Sequence, residues 1–205
     1  MLVNVGRSVY NVVMKFENES PDQLPSRERI LVAAHALFYK EGIRATGIDK
    51  IIEQAPVSKL TFYRQYASKD DLIRAYLDFR HEKWISWFQT SLEQARGAGL
   101  LPVDALVSTL RDWFSSPDFR GCAFLNAAAE LGSSDPKILE TVRQHKQDMS
   151  TVLDKVFEGD AVSVGRLLAL VIDGAIVHAQ MGQPIDEVME NFKVSVEGIL
   201  LRSSR

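Results

Sequence analysis

Hydrophobic residues recur every three or four positions along most of the chain, and this spacing predicts an all-α fold. Glycines, prolines and short polar clusters interrupt the pattern and divide it into separate helices. After three short N-terminal helices, the predicted helices are residues 69–96, 103–115, 121–131, 136–157, 161–181 and 185–202. No segment shows the alternation of a strand, and there is no fixed-period repeat or low-complexity tract.

The first two predicted helices have clear start and stop signals. The first, RERILVAAHALFYKEG, carries one apolar stripe, with Ser26 as its N-cap and Gly42 at its C-terminal end. The second, residues 47–54, buries three isoleucines and takes Thr46 as its N-cap. Pro56 ends it, because proline lacks an amide proton and restricts the residue before it.

The third predicted helix, residues 58–65, is short and two-sided. Ser58 is its predicted N-cap, and Leu60, Phe62 and Tyr63 form its apolar side. Four polar residues are predicted to project outward, and all of them can form hydrogen bonds: Ser58, Lys59, Thr61 and Arg64. Two short helices joined by a tight turn, with such a polar face on the second, are typical of a DNA-reading unit.

The order of these signals resembles the DNA-binding domain of the TetR (tetracycline-repressor-like) family of bacterial transcriptional regulators. The matching features are the first helix, the Thr46 cap, the turn 55–58, the core 61–63, and Tyr66 followed by SKDDL at 68–72. The resemblance implies a helix-turn-helix DNA-binding domain over 25–70 and an effector-binding and dimerisation domain over 71–205.

The sequence departs from the family at Pro56, where TetR-like proteins most often have glycine. Proline is not expected to adopt positive φ, so we expect the turn after the second helix to be closed differently. This changes the expected angle of the third helix.

Side-chain chemistry gives the outward residues their predicted roles. Lys59 and Arg64 can contact guanine edges or phosphates, and Ser58 and Thr61 can bond bases or the backbone. Of these, Lys59 and Thr61 are the predicted base readers. The resemblance implies contacts with the DNA backbone by Thr46, Tyr63, Tyr66 and Lys69. For the two tyrosines, packing between helices is the alternative.

Charge is distributed unevenly along the chain. Residues 25–69 contain eight Lys or Arg and four Asp or Glu, a net charge of +4, whereas the whole chain carries −3. Because DNA binding draws affinity from phosphate neutralisation, this polarity supports the assignment of the basic segment to DNA. Charge by itself would equally suit a solvated surface.

Aromatic residues concentrate beyond residue 80, around few polar groups, and such a set forms either a core or a ligand pocket. Residues 120–130, RGCAFLNAAAE, resemble a ligand-domain motif of some TetR-like regulators that identifies no ligand. The predicted ligand-binding residues are Trp84, Trp87, Phe88, Trp113, Phe124, Asn126, Glu130, His145 and Asp173.

The last two predicted helices are apolar on most sides and therefore need cover on most sides. One monomer core could provide it. The resemblance implies instead that they pair across a twofold axis as a four-helix bundle. A homodimer also suits an inverted-repeat DNA operator, whose half-sites lie about 34–36 Å apart.

Other chemistries find little support in the sequence. A single cysteine, Cys122, excludes an intramolecular disulfide and suits the cytoplasm, with a thiol sensor as the less favoured reading. The four histidines have no metal-site spacing, no catalytic motif or cofactor fingerprint appears, and no segment reaches membrane-spanning length. Residues 1–24 lack the features of a secretory signal and are expected to form a flexible tail, or to reflect an upstream start with Met14 as the usual initiator.

The sequence therefore predicts a dimeric, ligand-responsive transcriptional regulator, with repression favoured over activation. Binding of a small molecule is expected to move the long fourth helix and so change the separation of the two recognition helices. An architectural DNA-binding protein without a ligand is the main alternative. An all-helical enzyme is a weaker one, since no catalytic constellation is present.

Overall fold

The computed structural model describes residues 24–157 and 164–203, and all regular structure within them is α-helical, as predicted. The predicted tail lies outside the described residues except for Leu24, which is buried. The helices are α1 (Ser26–Glu41), α2 (Ile48–Gln54), α3 (Lys59–Gln65), α4 (Lys69–Gly97), α5 (Pro102–Phe114), α6 (Ala123–Leu131), α7 (Pro136–Val156), α8 (Gly165–Gln180) and α9 (Ile185–Ser203).

The described residues divide into two compact units. The N-terminal unit contains residues 24–83 and 123–142, and the C-terminal unit contains residues 84–122, 143–157 and 164–203. The boundaries fall within α4 and α7, so both helices contribute to both units. The predicted functional division at residue 70 remains a prediction.

The N-terminal unit has a continuous apolar core in which α1 packs against α2 and α3. Its centre is formed by Ile30 of α1, Ile51 of α2 and Phe62 of α3, all with 0% exposure. One large side chain from each short helix is therefore fully removed from water, which holds the three helices in a fixed arrangement.

A buried basic pair joins α1 to α4 in the same unit. Arg80 is 1% exposed; its Nη1 atom lies 3.1 Å from Nε2 of His35, and its guanidinium lies 4.1 Å from the ring centre of Tyr39. Burial, followed by the charge of Arg80, holds the pKa of His35 well below its ordinary value. His35 therefore accepts a hydrogen bond from the guanidinium in its neutral form.

Two predicted N-caps are wrong. Helix α1 begins at Ser26 itself with Pro25 in the cap position, and α2 is preceded by Gly47, which has no side chain to form a cap bond. The hydroxyl of Thr46 donates instead to the carbonyl of Gly42 at 2.8 Å. In both places the helix begins one residue away from the predicted boundary, so the hydroxyl does not reach the amides that a cap would bond.

The turn after α2 is of the Schellman type although proline occupies the position usually taken by glycine. The amide of Ala55 donates to the carbonyl of Ile51 at 2.9 Å. The amide of Val57 donates to the carbonyl of Ile52 at 3.3 Å, which is the long bond of this motif. Pro56 has a φ of 20°, so the expectation that it avoids positive φ is wrong, and it lacks the amide for the second bond.

The C-terminal unit is built around α9, which packs against α5 and α8. Val188, Met189, Phe192 and Val196 form the buried side of α9. The predicted start of α8 at residue 161 falls outside the described residues, and the helix is described from Gly165. Among the described residues, no helix combines the length and the apolar character that crossing a membrane requires.

Candidate nucleic-acid interface

The start of α3 is fixed by the predicted cap. The hydroxyl of Ser58 accepts a hydrogen bond from the amide of Thr61 at 3.1 Å, and the two hydroxyl oxygens lie 2.9 Å apart. Phe62 then anchors the helix in the core with 0% exposure. Ser58 and Thr61 are therefore held together at the exposed N-terminal end of α3, where amides and hydroxyls can face a negatively charged ligand.

The predicted apolar side of α3 is wrong for Leu60 and Tyr63, because only Phe62 is buried, and the outward side therefore carries both polar and apolar groups. Leu60 is 72% exposed and Tyr63 is 45% exposed, while Lys59 and Arg64 are also exposed. Nζ of Lys59 lies 3.2 Å from a carboxylate oxygen of Asp49, but both side chains are largely open to solvent. A surface pair of this kind is weak and can be exchanged for a contact with another charged molecule.

Tyr66 is a packing residue in this structure. It is 3% exposed, its hydroxyl donates to the carbonyl of Arg27 at 3.3 Å, and the Arg27 guanidinium lies 4.4 Å from the centre of its ring. Burial raises the pKa of Tyr66, and the charge of Arg27 opposes this rise. Of the two alternatives for Tyr66, the structure favours packing over contact with the DNA backbone.

Thr46 and Lys69 also face inward rather than outward. Thr46 has 0% exposure and its hydroxyl donates to the carbonyl of Gly42, so we exclude its side chain from the candidate interface. The ammonium of Lys69 donates to the carbonyl of Ile43 at 2.6 Å and is partly buried. Burial lowers the pKa of Lys69, and the nearby Glu130 and Asp70 carboxylates oppose this.

Several of the eight cations in residues 25–69 are engaged with protein groups. Arg27 donates to the carbonyl of Gln65 at 2.6 Å, and Lys50 pairs with Glu41. Three exposed cations have no side-chain partner among the described residues: Lys40, Arg44 and Arg64. Arg44 was missed as a site candidate in the sequence, because it lies before α2 and α3, the two helices in which the helix-turn-helix pattern was found.

Five of the predicted ligand-binding residues form one cluster of rings in the C-terminal unit. Trp84 stacks on Phe88 with ring centres 4.8 Å apart, and it contacts Trp113 at 5.4 Å and His145 at 5.2 Å edge-on. Trp87 lies 6.0 Å from Trp84. These five predicted residues are brought together, and all are buried.

Two buried polar atoms in this unit have no hydrogen-bond partner among the described residues. They are the indole nitrogen of Trp84 and the hydroxyl of Thr109, which lies one helical turn before Trp113 on α5. Buried polar groups are nearly always paired with protein, water or ligand. The cluster therefore carries hydrogen-bonding capacity that the protein itself does not use.

Asp173, the sixth predicted ligand residue in this unit, is paired. Its carboxylate accepts a hydrogen bond from Nζ of Lys146 at 2.5 Å, and the same ammonium lies 3.6 Å from the sulfur of Cys122. Burial lowers the pKa of Lys146, but the Cys122 and Asp173 groups together raise it above its ordinary value. Cys122 is itself buried, at 4% exposure.

The remaining three predicted ligand residues, Phe124, Asn126 and Glu130, belong to the N-terminal unit. Phe124 is buried there and meets the ring of His81 edge-on at 6.4 Å. The ligand role predicted for Glu130 is not supported, because both carboxylate oxygens accept hydrogen bonds from backbone amides, those of Ile43 at 3.2 Å and Arg44 at 2.7 Å.

A groove of about 300 Å³ lies between α8 and α9, away from the aromatic cluster. Its walls combine apolar residues with His178, Gln183, Asn191 and Ser195. No group of three or more His, Cys, Asp or Glu side chains within residues 24–157 and 164–203 is arranged to hold a metal ion.

Residues 30–76 match the family model of bacterial regulatory proteins of the tetR family. A solved TetR-family transcriptional regulator from Streptomyces coelicolor is 36% identical, with a TM-score of 0.73 over 88% of this chain and 96% of that one. The HTH-type transcriptional repressor ComR of Escherichia coli K12 is 21% identical over 80% of this chain and 84% of its own length.

A shorter match is the HTH-type transcriptional activator FasR of Mycolicibacterium smegmatis, which is 33% identical over 37% of this chain and 36% of its own length. All of these relatives are transcriptional regulators rather than enzymes.

Replacing Ser58 separates the role of the cap from the role of surface charge. We expect Ser58→Ala to lower the free energy of unfolding by about 1 kcal/mol, because the amide of Thr61 loses its acceptor. Ser58→Asp keeps an acceptor and should keep the stability, but its negative charge should weaken DNA binding more than alanine does. Urea unfolding and fluorescence anisotropy with duplex DNA measure the two effects. Equal stability of the wild type and Ser58→Ala would show that the cap bond contributes nothing.

Proposed function

Because the chain belongs to the TetR family of bacterial regulatory proteins, we propose that it is a repressor that binds an inverted-repeat operator as a homodimer and is released by a small molecule. DNA-binding transcriptional regulation is the function of its family. The observation that carries the proposal is the arrangement of α3, where buried Phe62 anchors a helix whose exposed side chains suit the edges and phosphates of DNA.

Base reading is proposed for Lys59 and Thr61, with Arg64 and Ser58 in support. Lys59 has 65% of its side chain exposed, and Thr61 is held at the first turn of α3 by its bond to Ser58. Tyr63 is the exposed tyrosine and is proposed to contact the DNA backbone. Leu60, at 72% exposure, is proposed to contact a thymine methyl group.

Repression is favoured by the extent of the similarity to each relative. The similarity to the repressor ComR covers 80% of this chain, whereas the similarity to the activator FasR covers 37%. We further propose that the protein acts in the cytoplasm, where bacterial DNA is located.

Dimerisation is proposed through an exposed apolar stripe on α8 and α9. On α8, Leu167 (45% exposed), Leu170 (70%), Gly174 and Val177 (44%) follow one another at helical spacing. On α9, Val194 (64%), Gly198 and Leu201 (72%) do the same.

Two properties of this stripe favour a close helix contact. A side chain added at Gly174 or Gly198 would meet no atom within 4 Å, so both glycines face open space. Apolar side chains with small residues between them allow helices from two copies to approach closely around a twofold axis. The groove between α8 and α9 shares Gly174 with this stripe, so a partner bound to the stripe would lie beside the groove.

Effector binding is proposed at the aromatic cluster of the C-terminal unit. Stacked rings offer the apolar walls of a ligand site, and the indole nitrogen of Trp84 and the hydroxyl of Thr109 offer unused hydrogen bonds. A planar apolar molecule with a hydrogen-bond acceptor fits this chemistry. Such a ligand would release DNA only by binding more tightly to the conformation that does not bind the operator, and movement of α4 is the proposed route.

Selection of genomic DNA fragments by the purified protein tests operator reading. We expect the wild type to enrich an inverted repeat. The double variant Lys59→Ala, Thr61→Ala should lose this preference, since each good base contact contributes about 1–3 kcal/mol of discrimination. A matched double variant on α7, Lys137→Ala and Thr141→Ala, should behave as the wild type. Weak, unselective binding that is equal in all three proteins would favour an architectural DNA-binding protein.

The dimer interface is tested by placing a charge on the stripe. Leu170→Glu should yield a monomer at concentrations where the wild type is a dimer, because a carboxylate would be buried in an apolar interface. Leu101→Glu is the matched control: Leu101 is exposed to a similar degree, 68% against 70%, but lies outside the stripe. Sedimentation equilibrium measures the association. If both variants remain dimeric, the stripe is not the interface.

Effector binding is tested with small molecules metabolised or exported by the products of genes beside the selected operator. Trp84→Phe keeps an aromatic ring but removes the indole N–H donor, so more ligand should be needed to release operator DNA. Operator affinity without the ligand should be unchanged. Trp87→Phe is the control for loss of an indole. Release of Trp84→Phe at the ligand concentration that releases the wild type would place the site elsewhere, and loss of operator binding by Trp84→Phe would indicate a purely structural role.

A further inference from the structure

A single carboxylate from α6 holds the loop that leads from α1 into the helix-turn-helix. Oε1 of Glu130 accepts a hydrogen bond from the amide of Ile43 at 3.2 Å, and Oε2 accepts one from the amide of Arg44 at 2.7 Å. These amides follow α1, which ends at Glu41, and precede α2, which begins at Ile48. Glu130 is 86 and 87 residues distant from them in sequence, but it lies in the same compact unit.

Two other side chains donate hydrogen bonds to the carbonyl groups of the same loop. The ammonium of Lys69, at the start of α4, donates to the carbonyl of Ile43 at 2.6 Å, and the hydroxyl of Thr46 donates to the carbonyl of Gly42 at 2.8 Å. The peptide groups of residues 42–44 are therefore fixed by a carboxylate on one side and by donors on the other. Hydrogen bonds to charged groups are stronger than those between neutral groups, so the bonds made by Glu130 and Lys69 restrain the loop most strongly.

The backbone at Gly42 is shaped for this contact. Gly42 has a φ of 96°, and a Cβ atom at this position would lie 3.3 Å from Oε2 of Glu130. A larger residue would meet both an unfavourable backbone conformation and a crowded carboxylate. Glycine at the end of α1 thus permits the turn and also the approach of Glu130.

The charges of this region indicate that the contact between Glu130 and the loop does not increase the general attraction to DNA. Residues 25–69 carry a net charge of +4, and an added carboxylate reduces the attraction of this region for phosphate. The contact instead fixes the backbone geometry of the loop. With its amide held by Glu130, Arg44 has a fixed backbone, while its side chain is exposed and has no partner among the described residues.

We propose that Glu130 is a positioning residue for DNA reading: its carboxylate fixes the loop 42–44, and thereby directs the Arg44 guanidinium toward a DNA phosphate and sets the orientation of α2 and α3. Glu130 itself contacts no DNA. The loop is held by a residue of α6, which belongs to the same compact unit but is distant in sequence, so the geometry of the reader depends on the position of α6.

Two substitutions of Glu130 and one control test this role. Glu130→Gln preserves size but presents an amide NH₂ group toward one of the two backbone amides, so it removes the paired acceptor without leaving a cavity. Glu130→Ala removes both acceptors. Glu140→Ala removes an exposed carboxylate of the same unit and serves as the control. Operator affinity, affinity for unrelated DNA, and amide hydrogen exchange at Ile43 and Arg44 are measured for each full-length protein.

We expect Glu130→Gln and Glu130→Ala each to weaken operator binding by about tenfold, the size expected from losing hydrogen bonds to a charged acceptor. Affinity for unrelated DNA should not fall, because a negative charge has been removed. Exchange at the Ile43 and Arg44 amides should accelerate while the core amides of Ile51 and Phe62 stay protected. Glu140→Ala should match the wild type in operator affinity and exchange.

Three results would overturn the proposal. Operator affinity unchanged in both Glu130 variants would show that the loop needs no carboxylate. Wild-type behaviour of Glu130→Gln with a defect only in Glu130→Ala would indicate packing, and an equal loss of operator and unrelated binding would indicate general unfolding. The affinity measurement rests on the proposed operator binding, but the exchange measurement does not. If the wild type selects no operator, exchange still decides whether Glu130 holds the loop.

Discussion

The burial of Phe62 is the interaction on which the orientation of the candidate interface depends. Helix α3 has seven residues, and a helix of this length is marginal in water, so its conformation must come from tertiary packing. Phe62 supplies that packing against α1 and α2, and the Ser58 cap fixes where the helix begins. Lys59, Thr61 and Arg64 then point outward because Phe62 points inward, since side chains on a helix keep a fixed angular relation.

The local parts of the fold could be predicted from the sequence, and the errors occurred at the ends of helices. Helix number, order and approximate bounds follow from apolar spacing and breakers, which act within a few residues. Ser58 caps α3 as predicted, whereas the hydroxyl of Thr46 bonds the Gly42 carbonyl instead. At Pro56 the long bond from Val57 to Ile52 is made despite the proline ring, so the tertiary arrangement prevails over the local preference.

The candidate site was predictable in residue type but not in the direction of each side chain. Lys69, Tyr66 and Thr46 have the chemistry of phosphate contacts, yet each is bonded to a backbone carbonyl of its own unit. The partners of Lys69, Tyr66 and Glu130 lie in distant segments of the sequence, and no spacing rule connects such segments. The aromatic cluster shows the converse: five of its members could be predicted from the sequence, but the unpaired Trp84 nitrogen and Thr109 hydroxyl that support the proposed ligand site could not.

The division of charge within the N-terminal unit favours precise placement over strong general attraction. Of its cations, Lys69 and Arg27 bond backbone carbonyls and Lys50 pairs with Glu41, so these groups stabilise the reader rather than attract phosphate. A surface that holds DNA mainly by charge would bind all sequences with similar affinity. Because several of its cations bond groups of the protein itself, this unit has a lower unselective affinity for DNA than its charge would allow. Discrimination between sites then depends on how accurately a few exposed residues are positioned, which is the property that a regulator of specific genes requires.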